Sequence, residues 1–198
     1  MSHFRHTVVV CASLLAVGLT ASCSEDSGPA EPTPAASSAT PSTTTTTTES
    51  EPPPTDAGIK TAKQSRDAAL TVTDIRIGHH EGYDRVVYEF GGKGAPGWSV
   101  EYVDKAIQDG SGNDLPVNGM SIMQVLINGS AYPFDSGVTE YAGPDPLSDP
   151  SAPAVAEVHL ATLFEGTTQS FIGTTAERPA FRVTALANPT RLVIDIAN

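Results

Sequence analysis

From about Leu70 onward, apolar residues alternate with polar ones or gather in short β-branched runs, and no long stretch repeats with the 3.6-residue period of an amphipathic helix. The pattern predicts strands at Leu70–Ile77, Tyr83–Phe90, Ser99–Val103, Ile122–Asn128, Val155–Leu160, Ser170–Ile172, Phe181–Leu186 and Arg191–Ile196. Clusters of Gly, Pro, Asn and Asp punctuate them at His79–Gly82, Gly91–Gly97, Gly110–Asp114, Gly143–Pro153 and Asn188–Thr190. Ile59–Ala69 could form one short helix. Seven or eight short strands at this spacing predict an all-β domain, an antiparallel β-sandwich or a partly open barrel.

Two of these strands echo each other. Arg85-Val-Val-Tyr-Glu-Phe90 and Arg191-Leu-Val-Ile-Asp-Ile196 share the order basic, three apolar, acidic, apolar. Successive strand side chains point to opposite faces, so Val86, Tyr88 and Phe90, like Leu192, Ile194 and Ile196, are expected in the core. Arg85, Glu89, Arg191 and Asp195 then share the other face and read as a cross-strand charge ladder.

The chain upstream of this domain differs in kind. A basic start at Arg5 leads into an uncharged apolar run from Thr7 to Ala21, the layout of a secretory signal peptide. The run is shorter than the roughly 17 to 25 apolar residues that span a bilayer, and Ser-Glu-Asp follows it, with no stop-transfer flank. Residues 23–57 are built almost wholly of Ser, Thr, Pro, Ala, Glu and Asp, with no aromatic residue, a composition that cannot offset the entropy of ordering. They are read as a disordered linker reaching on the order of 30 Å, whose threonine run Thr43 to Thr48 also suits O-linked sugar. The expected organisation is a signal peptide over 1–22, the linker over 23–57 and one β domain over 58–198.

Charge narrows the partners. The chain carries 11 Lys and Arg against 23 Asp and Glu, and loss of residues 1–22 removes Arg5 and no acid, leaving a balance near −13. Nucleic acid is excluded as a partner, because its binding rests on clustered cations that neutralise phosphates. No cofactor or metal is implied. His79-His80-Glu81 with Asp84 holds the right atoms for a divalent ion, but neighbouring strand residues face opposite ways, so a polar loop is the better reading. Asp109-Gly-Ser-Gly-Asn-Asp114 lacks the glycine and glutamate that a calcium loop needs at its sixth and twelfth positions and is expected to be a hairpin turn. Gly91-Gly92-Lys93-Gly94 lacks phosphate-loop spacing, and no serine sits in a nucleophile elbow, so the domain is read as non-enzymatic. The features left for binding are aromatic residues near turns, whose flat rings pack on sugar faces: Trp98, Tyr83, Tyr102 and Tyr132.

Two resemblances complete the picture. Leu19-Thr20-Ala21-Ser22-Cys23 resembles a bacterial lipobox, which implies acylation of Cys23 with palmitate-type chains and attachment to the outer, extracytoplasmic face of the cell membrane; two or three chains anchor durably where one does not. Arg85–Phe90 and Asn188–Ile196 resemble the opening and closing strands of AMIN domains, non-catalytic β-sandwich modules that direct amidases and secretins to peptidoglycan. About a hundred residues separate the two strands here, more than the compact AMIN pattern holds. Leu70–Asn198 is closer to the AMIN-like domain of actinobacterial lipoproteins, on Gly78-His79-His80-Glu81-Gly82-Tyr83-Asp84-Arg85, Pro96-Gly97-Trp98-Ser99-Val100-Glu101-Tyr102-Val103, Phe164-Glu165-Gly166 and Phe181-Arg182-Val183. The resemblance implies a lipid-anchored module that contacts cell-wall polymer, peptidoglycan or its attached polysaccharide. The alternatives are an adaptor for another envelope protein or an enzyme of unfamiliar type.

Overall fold

A computed structural model describes residues 51–198. The signal segment, Cys23 and the linker as far as residue 50 lie outside the described residues. Nine strands form two antiparallel sheets. In chain order they are β1 (Lys60–Ala62), β2 (Ala69–His80), β3 (Tyr83–Lys93), β4 (Gly97–Val103), β5 (Ser121–Asn128), β6 (Val155–Phe164), β7 (Thr167–Thr174), β8 (Phe181–Leu186) and β9 (Thr190–Ala197), with one short helix, α1 (Pro133–Ser136), between β5 and β6. One sheet has the order β2-β3-β9-β8 and the other β1-β4-β5-β7-β6. The β-sandwich expected from the alternation is the fold observed.

The echoing strands are neighbours. β3 and β9 pair antiparallel with Val86 opposite Ile194, Tyr88 opposite Leu192 and Arg85 opposite Asp195. Val86, Tyr88, Phe90, Leu192, Ile194 and Ile196 are all buried in the core, on the side the alternation assigned them. On the other face Asp195 is 2% exposed and accepts from Arg85 Nε and Nη2 at 2.6 and 3.0 Å and from Arg182 Nη2 at 2.6 Å. Two guanidiniums offset a carboxylate that would otherwise be a buried unpaired charge, which costs several kcal/mol. Glu89 lies opposite Arg191 in register, yet its ion pair is with Arg76 of β2, at 2.9 Å.

Between β3 and β8 the chain builds the second sheet and its cover, apart from the α1 segment, which is held to β2. The sheets meet through apolar side chains such as Val100, Met123, Val125, Ile127, Val158 and Ile172, and through one polar link. Tyr88 Oη lies 2.8 Å from Ser170 Oγ, and Ser170 gives its own hydrogen to the His159 carbonyl, so the tyrosine is the donor. Residues 104–120, joining β4 to β5, fold back over the outer face of the second sheet. There Gln169 and Phe171 of β7 are fully buried: Gln169 Oε1 accepts from the Asp109 amide at 2.9 Å and its Nε2 donates to the Ile107 carbonyl at 3.0 Å. A side chain at Gly173 would run into the Asn118 carbonyl, so glycine lets this cover close. The turn at 109–114 is the expected hairpin, closed by Gln108 N to Asn113 O at 2.9 Å.

One reading is corrected. The helix expected within Ile59–Ala69 is absent; Lys60–Ala62 is a short strand paired to β4, because edge pairing satisfies its backbone groups where a single helical turn would not. The one helix among the described residues, α1, went unpredicted because four residues carry no periodicity. The segment 143–153 also has a defined place: Leu147 bridges Val158 and shields the open edge of β6, a standard means of blunting an edge strand.

The interface between the sheets sets stability. Ile194→Ala, which empties a fully buried position, is expected to cost about 2–5 kcal/mol. Tyr88→Phe, which deletes only the donor to Ser170, is expected to cost about 0.5–1.5 kcal/mol. Urea unfolding followed by circular dichroism measures both as a lowered midpoint with unchanged slope.

Candidate functional site

The four aromatic residues singled out in the sequence do not come together. Tyr83, on β3, is buried; its ring stacks on His80 at 4.8 Å and lies under the guanidiniums of Arg85 and Arg182 at 5.3 and 5.8 Å. Tyr102 of β4 meets Phe181 edge to face at 5.7 Å, donates to the Pro179 carbonyl at 2.7 Å, and has its phenol pKa raised by burial. Trp98, opposite Ile127 and Ala62, is half-buried against the core. These three are framework. Tyr132 alone presents its ring, 41% exposed.

Tyr132 has a partner that the sequence reading missed. Phe134, 79% exposed, stacks on it with centroids 5.3 Å apart and planes within 5°. The local chain explains the pair. Pro133 opens α1 with its fixed φ, and Gly137, at φ 72°, closes it in the left-handed region. Tyr132 and Phe134 therefore flank a rigid proline. The turn is held to β2, where Thr71 Oγ1 donates to the Ala131 carbonyl at 2.8 Å and lies 2.6 Å from Ser136 Oγ. Tyr132 Oη donates to the Leu163 carbonyl at 3.2 Å, which fixes the ring against the end of β6.

Beside this pair opens a half-open cleft of about 160 Å³ between β2, the α1 turn and the ends of β6 and β7. Thr71, Thr162 and Thr168 bring hydroxyls to it, Glu140 a carboxylate, and Leu160 and Leu163 an apolar wall. Its volume is below the roughly 300–1,000 Å³ of pockets that engulf a small molecule. A ligand here would lie across the surface with one group dipping in. The residues lining the cleft are scattered over four segments of chain, and only the Tyr-Pro-Phe run between two glycines signals it in the sequence.

At the far end of β2, the motif His79–Arg85 forms a hairpin whose turn is Glu81-Gly82, with Gly82 at φ 85°. Asp84 is fully buried there. Its Oδ1 lies 2.7 Å from His79 Nδ1 and accepts from Asn198 Nδ2 at 2.8 Å; its Oδ2 accepts the Ala154 amide at 2.6 Å. One carboxylate thus ties the β2–β3 hairpin, the lead-in to β6 and the chain's last residue together. At Phe164-Glu165-Gly166, both turn residues have positive φ, 48° and 79°, as a type I′ hairpin requires. The four sequence motifs are therefore structural joints of one sandwich, and a family model described as the AMIN-like domain matches residues 70–198, the span that contains them. The chain belongs to the AMIN-like domain family. No curated protein and no solved structure matches it.

A second polar cluster of this AMIN-like domain lies on the covered face of the second sheet. His159 Nε2 is 2.9 Å from Glu157 Oε1 and its Nδ1 3.2 Å from Asp145 Oδ1, so either ring nitrogen, when protonated, faces a carboxylate. Glu157 also accepts from the backbone amide and side chain of Asn118 at 2.7 and 2.9 Å. The cluster ties residues 145 and 118, from the two covering loops, to β6. Among the described residues no group of three or more His, Cys, Asp and Glu is arranged to hold a metal ion.

Burial pushes the Glu157 carboxyl up, but the hydrogen bonds from Asn118 and His159 outweigh it and leave the pKa below the ordinary 4.5. A lowered folded-state pKa adds stability that is present above the unfolded value and is lost as pH falls through the folded one. Glu157→Gln is expected to lower stability near neutral pH and to flatten the loss of stability below about pH 4.5. Denaturation midpoints measured across an acid-to-neutral series for both chains check this.

Proposed function

We propose that this protein is a non-enzymatic, peptidoglycan-associated binding module, held at the extracytoplasmic face of the cell membrane by lipid on Cys23. The single observation that carries the binding site is the stacked Tyr132–Phe134 pair, whose chain neighbours Ala131 and Pro133 line the threonine-bearing cleft beside it. Membership of the AMIN-like family supports the wall as the target. Exposed flat rings suit the apolar faces of sugar rings, while hydroxyls and a carboxylate beside them orient polar groups of a glycan. The shallow cleft suits a polymer lying across it better than a small molecule enclosed by it. With a balance near −13 once residues 1–22 are gone, the chain is repelled by anionic polymer, so contact rests on stacking and hydrogen bonds and is expected to hold or strengthen as salt screens the repulsion.

The test is co-sedimentation of the chain from Ser24 to Asn198 with isolated cell walls, with and without their attached polysaccharides. Saturable binding is expected, and Phe134→Ala and Tyr132→Ala are each expected to weaken it at least about fivefold, the cost of more than 1 kcal/mol typical of an aromatic anchor. Phe134 is exposed enough for its loss to leave thermal stability nearly unchanged, whereas Tyr132→Ala also gives up the hydrogen bond to the Leu163 carbonyl, so its fold is checked by thermal unfolding beside the binding assay. If the folded chain stays in the supernatant, the wall reading falls and an envelope protein becomes the partner to seek. Binding that both variants retain would move the site away from α1.

A further inference from the structure

The residues just before the domain are built into it at one defined place. Glu51-Pro52-Pro53-Pro54 lies against the outer face of the β2-β3-β9-β8 sheet, at its hairpin end. Glu51 Oε2 reaches Arg85 Nη2 at 3.3 Å and Arg182 Nη2 at 3.4 Å, and Arg182 Nη1 donates to the Pro52 carbonyl at 2.9 Å. Pro53 covers Gly82: a Cβ on that glycine would sit 2.5 Å from Pro53 Cγ. Pro54 is buried. The receiving surface is preorganised without Glu51, because Asp195 already fixes both guanidiniums and Tyr83 lies beneath them.

The chemistry is that of a peptide site. Consecutive prolines favour the extended polyproline conformation, which leaves backbone carbonyls free and loses little entropy on docking. An arginine that donates to one such carbonyl while pairing with a preceding carboxylate reads both features at once. Two arginines share one buried aspartate, so the pair keeps a surplus positive charge that Glu51 neutralises.

We infer that the Tyr83–Arg85–Arg182 face is a binding site for an acidic polyproline segment, occupied by the chain's own Glu51–Pro54, and that this clasp fixes where the upstream chain leaves the domain. From Asp56, whose carbonyl accepts the Phe181 amide, the chain passes through β1 to Ala68, beside Gly129 and Gly94, and β2 then runs back from the cleft to the hairpin. Thr71 borders the cleft and His80 the clasp, nine residues apart on one strand, or about 30 Å at 3.3 Å per residue. The clasp thus makes the upstream chain depart from the end of the sandwich opposite the Tyr132–Phe134 pair. That orientation rests on the proposed wall contact for its purpose, whereas the clasp itself does not.

The chain from Ser24 has no cysteine, since the two in the sequence are Cys11 and Cys23. Ser50→Cys therefore takes a single nitroxide label just upstream of the clasp. In two-dimensional amide spectra of the isotope-labelled chain, the label is expected to broaden signals at Tyr83, Arg85 and Arg182 and to spare those around Tyr132. Glu51→Gln, a change of an exposed side chain, is expected to reduce this broadening by half or more, as is about 1 M salt, where screening falls to about 3 Å. Arg182→Gln should abolish it, with the remaining peaks confirming the fold. Broadening that is spread evenly, is indifferent to Glu51→Gln, or arises only between labelled and unlabelled copies would overturn the clasp. None of these readouts involves cell wall, so they stand or fall apart from wall binding.

Discussion

The pairing of β3 with β9 is the constraint on which the rest of the sandwich is arranged. Two strands about a hundred residues apart lie side by side, and the cost of closing so long a loop grows only with the logarithm of its length. Length is therefore tolerable provided that the enclosed residues satisfy themselves. They do so by forming a second sheet, β4-β5-β7-β6 with β1 at its edge, that packs on the first. Register matters more than closure. A shift of one residue would carry Val86, Tyr88 and Phe90 out of the core and bring Arg85 into it. The bidentate contact of Arg85 with Asp195 resists such a shift, because it leaves the buried carboxylate paired only at one alignment.

The second sheet is buried on both sides along β7 and the adjoining part of β6, while the outward residues of β4 and β5 stay half-buried; antiparallel sheets commonly leave one face to solvent. Its inner face meets the β3–β9 layer, and its outer face is roofed by the 104–120 connection. Such a roof is made of loop, and loop backbone must find partners when it is buried. Gln169 serves the Asp109 amide and Ile107 carbonyl, Gln108 reaches the Ala161 carbonyl, and Glu157 takes the Asn118 amide. Polar side chains at outward positions of β6 and β7 thus act as sockets for the cover. His159 plays the same part toward the segment carrying Asp145, which also guards the edge of β6.

Much of this architecture could be read from the chain alone, for identifiable reasons. All eight strands expected from alternation exist, because each sheet has one face in a shared core and alternation records that directly. The AMIN-like resemblance rested on the β2–β3 hairpin, β4, the Phe164–Gly166 turn and the start of β8, and the hairpin proved to be a joint whose residue types the geometry demands: Asp84 for its three partners, Gly82 for its positive φ, Arg85 for Asp195. What escaped were features without period. β1 is three residues long, α1 is four, and Phe134 becomes a stacked partner only through the proline-fixed turn. Aromatic identity by itself could not separate framework from surface: Tyr83 and Tyr102 carry the same side chain as Tyr132, and Trp98 an equally flat one, yet they differ in what covers them. The stretch 51–57, read from composition as linker, lies against the domain because two arginines and a glycine from distant strands meet there.

The two ends of the sandwich differ in how completely their polar and apolar groups are answered from within. At the hairpin end, Asp84 uses both oxygens, Asp195 holds two guanidiniums, and Tyr83 is stacked and covered, so most of the surface is spent on internal bonds, the buried Nε of Arg182 being the exception. At the other end the protein fixes its groups without consuming them. Thr71 and Tyr132 each spend a hydrogen on a backbone carbonyl, which immobilises the turn, while the ring surface left outside the Tyr132–Phe134 stack and the carboxylate of Glu140 stay open near apolar Leu160 and Leu163. Rigid apolar rings left in water have a cost that folding alone gives no reason to bear, since Phe134 contributes little to the core. Holding them in a defined stack beside orienting polar groups lowers the entropy lost when a partner binds. On that ground the α1 end, and not the motif-rich hairpin, is the surface proposed for contact with a partner.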